Sequence, residues 1–142
     1  MAISKVAFSD GTVHMDITDS TVTADTLANG VVAYGADGER IVGNMTTVTE
    51  TYRNGNQWYR KWSDGFIEQG GTIATSQKGY ESITISLPTA FTTTTYTVLT
   101  GGTNTGNLGS GVDVISEKTT TGFKTHTHHK GDALPTWYAC GY

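Results

Sequence analysis

The sequence is short of several things at once. Of its 142 residues only one is cysteine, Cys140, and two are proline; a single thiol excludes a disulfide within the chain. Charged residues make up 15%, against roughly 25% in an ordinary soluble domain, and Lys, Glu and Leu are scarce, which argues against a charged, Ala/Leu-rich helical bundle. The nine Lys and Arg residues are nowhere clustered and the net charge is −4, so the electrostatic footprint of a nucleic-acid or anionic-lipid binder is missing. Apolar runs extend for only a few residues, far short of the ~20 that cross a bilayer as a helix. Neither nucleic-acid binding nor membrane insertion is expected. No apolar segment of the signal-peptide kind follows Met1, which gives the expectation of a protein folded in a cytoplasm. The nucleophile-elbow, P-loop, H-E-x-x-H and C-x-x-C patterns are absent and the acidic residues fall singly in turns, as at Asp10, Asp37 and Asp64, so the chain is not expected to be an enzyme.

What is present points to strands. There are 27 Thr and 18 Gly, with Tyr and Val also in excess, a composition that suits extended chain joined by glycine turns. The fold class expected is all-β. From Lys5 to Ile17 the alternation of Val6 and Phe8, then Val13, Met15 and Ile17, about a Ser9-Asp10-Gly11 turn predicts a half-buried hairpin. Thr23 to Gly30 predicts one or two helical turns, with Thr23 as N-cap and Gly30 as the stop. Val31 to Tyr34 and Glu39 to Val42, about Gly35-Ala36-Asp37-Gly38, predict a second hairpin. Thr46 to Thr51 is polar without a turn signal and reads as an extended connector. These features divide the chain into residues 1–48, a hairpin, short helix and hairpin, and residues 49–142, a β-rich domain.

In the second part Trp58 to Trp62, the Ser63-Asp64-Gly65 turn and Phe66 to Gln69 predict a hairpin, and Gly70-Gly71 reads as a release of the chain. Tyr80 to Leu87 alternates with Ile83, Ile85 and Leu87 on one face until Pro88 ends it. Thr92 to Leu99, Val112 to Glu117, Phe123 to His129 and Thr136 to Tyr142 complete six or seven strands, a number suited to a small sandwich or barrel. Gly101 to Gly111 reads as a long polar loop, the kind of segment that carries binding on a β scaffold.

Several of these pieces also carry a resemblance. Trp58-Tyr59-Arg60-Lys61-Trp62-Ser63-Asp64-Gly65-Phe66-Ile67-Glu68-Gln69-Gly70-Gly71, then Leu87-Pro88 with Phe91, Tyr96 with Val98, Thr120 or Thr121 with Gly122-Phe123, and Trp137-Tyr138 with Gly141-Tyr142, resemble in order the C-terminal domain of gp53-like bacteriophage tail fibres over about residues 57 to 142. Asp19 to Leu27, with Gly30, Ala33-Tyr34, Asp37-Gly38-Glu39 and Ile41-Val42-Gly43, is similar to a short module of tailed-phage structural proteins that attaches fibre-like parts. The resemblance implies a trimeric fibre: a virion protein whose first part docks to other virion structural proteins and whose tip meets the bacterial host. It would be assembled in the host cytoplasm and exposed on the mature particle. A head fibre or decoration protein that binds nothing specific is the alternative.

Candidate site residues follow. Asn104, Thr105 and Asn107 in the polar loop, with Lys130 and Asp132 in the Lys130-Gly131-Asp132 turn, offer donors and acceptors suited to a host cell-surface glycan or protein; the same loop also reads as a plain connector. His126 and His128 share one face of a strand and His129 the other. Two imidazoles are too few for a closed site, so no cofactor is expected of one chain, but three chains meeting on an axis would bring six nitrogens to a divalent metal ion; an exposed Thr-rich strand face is the alternative. Trp58 and Trp62 lie with Arg60 on one face, suited to stacking on a sugar or to packing in a core or between subunits. Cys140 reads as a small buried hydrophobe.

Overall fold

The structure is a computed structural model that describes residues 2–72, 82–104, 114–126 and 133–142, the side chains of 102–104 and 133–135 excepted. The chain divides into two compact units, Met1–Thr47 and Val48–Tyr142, and its regular structure is β.

In the first unit β1 (Lys5–Ala7) and β2 (Val13–Asp16) form one antiparallel hairpin, and β3 (Val32–Tyr34) and β4 (Arg40–Val42) a second. Local chemistry makes the turns. The Asp10 carboxylate accepts the Thr12 N–H at 2.9 Å and that of Asp37 accepts the Glu39 N–H at 3.0 Å, closing Asx turns beside Gly11 and Gly38, both at positive φ. Between the hairpins, where the sequence predicts one or two helical turns from Thr23 to Gly30, there is a single 3-10 turn over Ala24–Thr26. Thr23 holds its N-cap position, and the Thr23 N–H donates to Thr26 Oγ1 at 3.0 Å. The helix goes no further because Met45 takes the next backbone groups, donating its N–H to the Leu27 carbonyl at 2.9 Å and accepting that of Asn29 at 3.1 Å. The expected half-burial of the first hairpin is not observed either. Val6, Phe8, Val13 and Met15 are exposed, because each hairpin is a sheet of only two strands.

The second unit holds eight strands among the described residues: β5 (Val48–Asn54), β6 (Gln57–Trp62), β7 (Ile67–Thr72), β8 (Ser82–Ser86), β9 (Thr97–Asn104), β10 (Val114–Thr119), β11 (Gly122–His126) and β12 (Ala133–Gly141). A five-stranded sheet has the order β5-β6-β7-β12-β9 and a three-stranded sheet the order β10-β11-β8. Their facing sides form one core. Ile67, Trp137 and Ala139 come from the large sheet, Ile85 and Phe123 from the small one, and Phe91 and Tyr96 from the segment between β8 and β9. Phe123 meets Trp137 edge-on at 5.9 Å between ring centres, and Phe91 stacks on Tyr96 at 4.3 Å, geometries that suit aromatic quadrupoles. The Tyr96 hydroxyl donates to the Gly122 carbonyl at 2.8 Å, so its polar end is satisfied.

Two readings are corrected by this sheet. Val48–Asn54 is an edge strand paired along β6 rather than a connector; its side chains are all exposed, which is why no apolar alternation marks it. Gly70-Gly71 does not release the chain but continues β7 opposite Tyr138 and Trp137. A Cβ on Gly70 would sit 2.9 Å from the Trp137 carbonyl and 3.1 Å from the Trp58 ring, so the bare backbone is what lets Trp58 lie across the strand.

Candidate functional site

The strand registers of the second unit give it two unlike ends. At one end the chain enters at Val48, paired with Trp62, beside the Trp62–Phe66 turn and the last pairing, Gly141 with Ile67. The C-terminal Tyr142 carbonyl accepts the N–H groups of Thr92 and Thr93 there. At the other end Asn104 pairs with Ala133 in the large sheet, and Val114, His126 and Ser82 form the matching terminal row of the small one. The chain therefore leaves the large sheet at Asn104 and returns to it at Ala133 on adjacent strands, and it reaches and leaves the small sheet at Val114 and His126 on adjacent strands. The Gly55-Asn56 turn closes the β5-β6 hairpin at this same end, where Asn56 accepts the Thr72 N–H at 3.3 Å.

Two of the sequence-selected residues, Asn104 and His126, fall at this end. Asn104 is the last residue of β9 and not part of a loop; the run Gly101–Asn104 is held in the sheet by four of the eight residue pairings between β9 and β12, which override its loop-like composition. The Thr136 hydroxyl, donating to the Gly101 carbonyl at 3.0 Å, adds to that hold. Thr105, Asn107, His128, Lys130 and Asp132 lie outside the described residues. His126 is the last residue of β11, half-buried, with Nε2 3.0 Å from Ser116 Oγ. One ring nitrogen is thus engaged by a hydroxyl on the neighbouring strand, and among the described residues no three His, Cys, Asp or Glu side chains come together in a metal-binding group.

A second surface is the outer face of the large sheet. Trp58 and Arg60 project from it opposite Gly70 and Glu68, as the alternation predicts. The Arg60 guanidinium lies 5.9 Å from the Trp58 ring centre and 3.3 Å from Glu68, and the Tyr138 hydroxyl donates to Glu68 at 3.1 Å. Burial first, then this hydrogen bond and the Glu68 charge, push the Tyr138 phenol up to about 12. Arg53 stands opposite Trp58, and Thr51–Arg53 with Trp58–Arg60 line an open depression of about 520 Å³. Leu99, opposite Tyr138, is 62% exposed, Cys140 is half-buried rather than buried, and Trp62 Nε1 is buried with no hydrogen-bond partner among the described residues. This surface was legible as an aromatic face; its ion pair and phenol needed the register of β7 and β12.

No curated protein matches the chain. Among solved structures it resembles a P. aeruginosa R2 pyocin fiber (20% identity, TM-score 0.57, covering 71% of this chain and 27% of that one) and an N-truncated R2-type pyocin tail fiber (21%, 0.50, 71% and 39%). An N-truncated R1-type pyocin tail fiber is also similar (19%, 0.52, 71% and 88%). The chain thus spans well under half the length of the first two. The sequence profile described as "tail fiber protein gp53-like, C-terminal" matches residues 61–142, a segment that contains all seven buried apolar side chains of the core. The chain belongs to this gp53-like tail fibre family, and is a virion-associated structural protein of a phage-type tail.

Proposed function

We propose that the chain is a homotrimeric, non-enzymatic tail fibre protein whose first part docks it to other virion proteins and whose C-terminal unit binds the bacterial host surface, a glycan by preference. The observation that carries this reading is the polarity of the second unit: the chain enters at Val48, while the segments holding Thr105, Asn107, Lys130 and Asp132 depart from and return to the opposite end, at Asn104 and Ala133. A fibre anchored through the first end presents the second to a cell. Binding there needs no strong single contact, because a site repeated on three chains and on several fibres gains orders of magnitude in avidity.

The test replaces Asn104, Thr105 and Asn107 by Ala in the whole protein and measures thermal unfolding and adsorption to host cells. Adsorption should fall while the melting temperature holds. Undiminished adsorption would move the receptor elsewhere, to Trp58 and its arginines first. Particles lacking the C-terminal unit that still adsorb normally would mean a decoration protein.

A further inference from the structure

No apolar side chain is fully buried among the described residues of the first unit. Among its described residues the only fully buried ones are Gly35 and Gly43, and none of the buried apolar side chains of the chain lies in it. Of the fifteen large apolar side chains that stay exposed among the described residues, ten fall in this unit; Ile3 is 63%, Phe8 59% and Tyr34 57% exposed. They are not scattered singly. Val6 stands opposite Met15, and Val32 opposite Val42 with Tyr34 two residues on, so both hairpins carry cross-strand apolar pairs on a common face. A two-stranded hairpin is marginal in water on its own, and a domain of this size whose apolar side chains are at most half-buried, as Ile17, Val22, Leu27 and Ile41 are, has little of the main term that opposes chain entropy.

We infer that the first unit completes its core between copies of the same chain, with the apolar faces of its two hairpins packed against those of its neighbours in the fibre. The inference rests on the trimer proposed above. The amount of surface fits: the seven exposed apolar side chains that belong to the hairpins, at roughly 160 Å² each and about half uncovered, leave on the order of 600 Å² per chain, the share that each partner brings to the smaller specific interfaces. Continuity favours a second copy over another protein as the occupant. Only Thr46 and Thr47 separate Met45 from β5, so three chains joined through their second units would hold three first units at millimolar effective concentration. The unit is acidic, with Asp10, Asp16, Asp19, Asp25, Asp37 and Glu39 against Lys5 and Arg40. Three of those carboxylates are occupied locally, however: Asp10 and Asp37 in their turns, and Asp16 by Lys5 at 2.7 Å and the Thr18 N–H at 3.0 Å. Repulsion between the rest is screened beyond about 8 Å at physiological salt.

The test uses the full chain with Cys140→Ser as background and a single new cysteine from Val6→Cys, Val32→Cys or Met45→Cys, with Asp19→Cys and Asp25→Cys as controls. Sedimentation gives the mass, a bulky maleimide reports access to each thiol, and copper-catalysed oxidation reports proximity between chains. The expected result is a trimer in which the three apolar positions label at least ten-fold more slowly than the controls and at least one of them yields covalent chain pairs. A trimer whose apolar positions label at the control rate overturns the inference and leaves the trimer standing. Protection without any covalent pair also overturns it, since the cover is then the chain's own second unit. A monomer overturns both.

Discussion

Gln69 offers the sharpest test of how the C-terminal unit is held together. It is completely buried, yet both ends of its amide are satisfied: Nε2 donates to the Thr89 carbonyl at 3.0 Å and Oε1 accepts the Thr89 N–H at 3.2 Å. One side chain of the large sheet therefore fixes the turn that follows Pro88 and delivers Phe91 to the core. Gln69→Leu keeps the volume and strands both backbone groups, each costing about 1–3 kcal/mol when left unpaired, so a loss of roughly 2–6 kcal/mol is expected. Gln69→Ala adds a cavity and should cost about 1 kcal/mol more. Gln69→Glu separates donor from acceptor. Its carboxylate can still accept from Thr89 N–H, but only the protonated acid can donate to the Thr89 carbonyl, and burial also favours that neutral form. Its folded pKa is then raised above the unfolded value of about 4.3, so the stability it contributes is complete below that value and is lost as pH rises through the folded pKa. The assay is urea unfolding followed by tryptophan fluorescence at fixed chain concentration, from about pH 4 to pH 8, with an unchanged denaturant slope as the check that only stability moved. Gln69→Glu should approach the wild type at the acid end and fall furthest behind it at the alkaline end. A Gln69→Leu variant within about 0.5 kcal/mol of wild type, the scatter typical of surface changes, would refute the reasoning. So would a Gln69→Glu variant whose deficit ignores pH.

Two further outcomes are expected. Tyr138 should titrate near 12 in ultraviolet absorbance, and Tyr138→Phe should remove a late-titrating phenol. Its raised pKa supports the fold below the unfolded value of about 10 and ceases to do so as pH climbs toward 12; Glu68→Gln, which keeps an acceptor but removes the charge, should lower the titration in part, and no change would deny the contact. For the histidines, dialysis against EDTA should leave the melting temperature where it was, and His126→Ala should cost no more than the roughly 1 kcal/mol of its hydrogen bond to Ser116. A melting temperature that falls with EDTA and returns with a first-row metal would establish a metal ion on the fibre axis instead.

The parts of the fold that could be read from the sequence are those where burial imposes a period. Ile83, Ile85 and Leu87 alternate because one face of β8 meets the core. The residues that carry the family resemblance prove to be structural ones: Ile67, Phe91, Tyr96, Phe123 and Trp137 form the core, Gln69 ties down Thr89, and Gly70 makes room for Trp58. The β5 strand escaped because an edge strand with every side chain in water carries no such period. The end of β9 escaped because Gly101 and Gly102 look like loop, and only β12, more than thirty residues later in the chain, holds them extended; strand propensity yields to pairing of this kind. For the same reason the candidate residues could be picked by their polarity but not placed. That Asn104 and Ala133 stand side by side is a fact of register between distant strands.

The exposed surface of the two units points in one direction. A domain closed upon itself would not leave Leu99 in water beside Tyr138, nor bury Trp62 Nε1 with no acceptor among the described residues, since an unpaired buried donor costs about 1–3 kcal/mol. Nor would a 47-residue unit settle with its apolar pairs uncovered on both hairpins. Covering the exposed faces with a second copy, as inferred above, would remove the part of that cost that comes from apolar surface in water. The other end of the second unit shows the opposite pattern in sequence: the segments that leave Asn104 and return at Ala133 are polar. If the chain associates through its apolar faces and is anchored through the end that Val48 enters, the polar end is the part left to meet a partner outside the fibre.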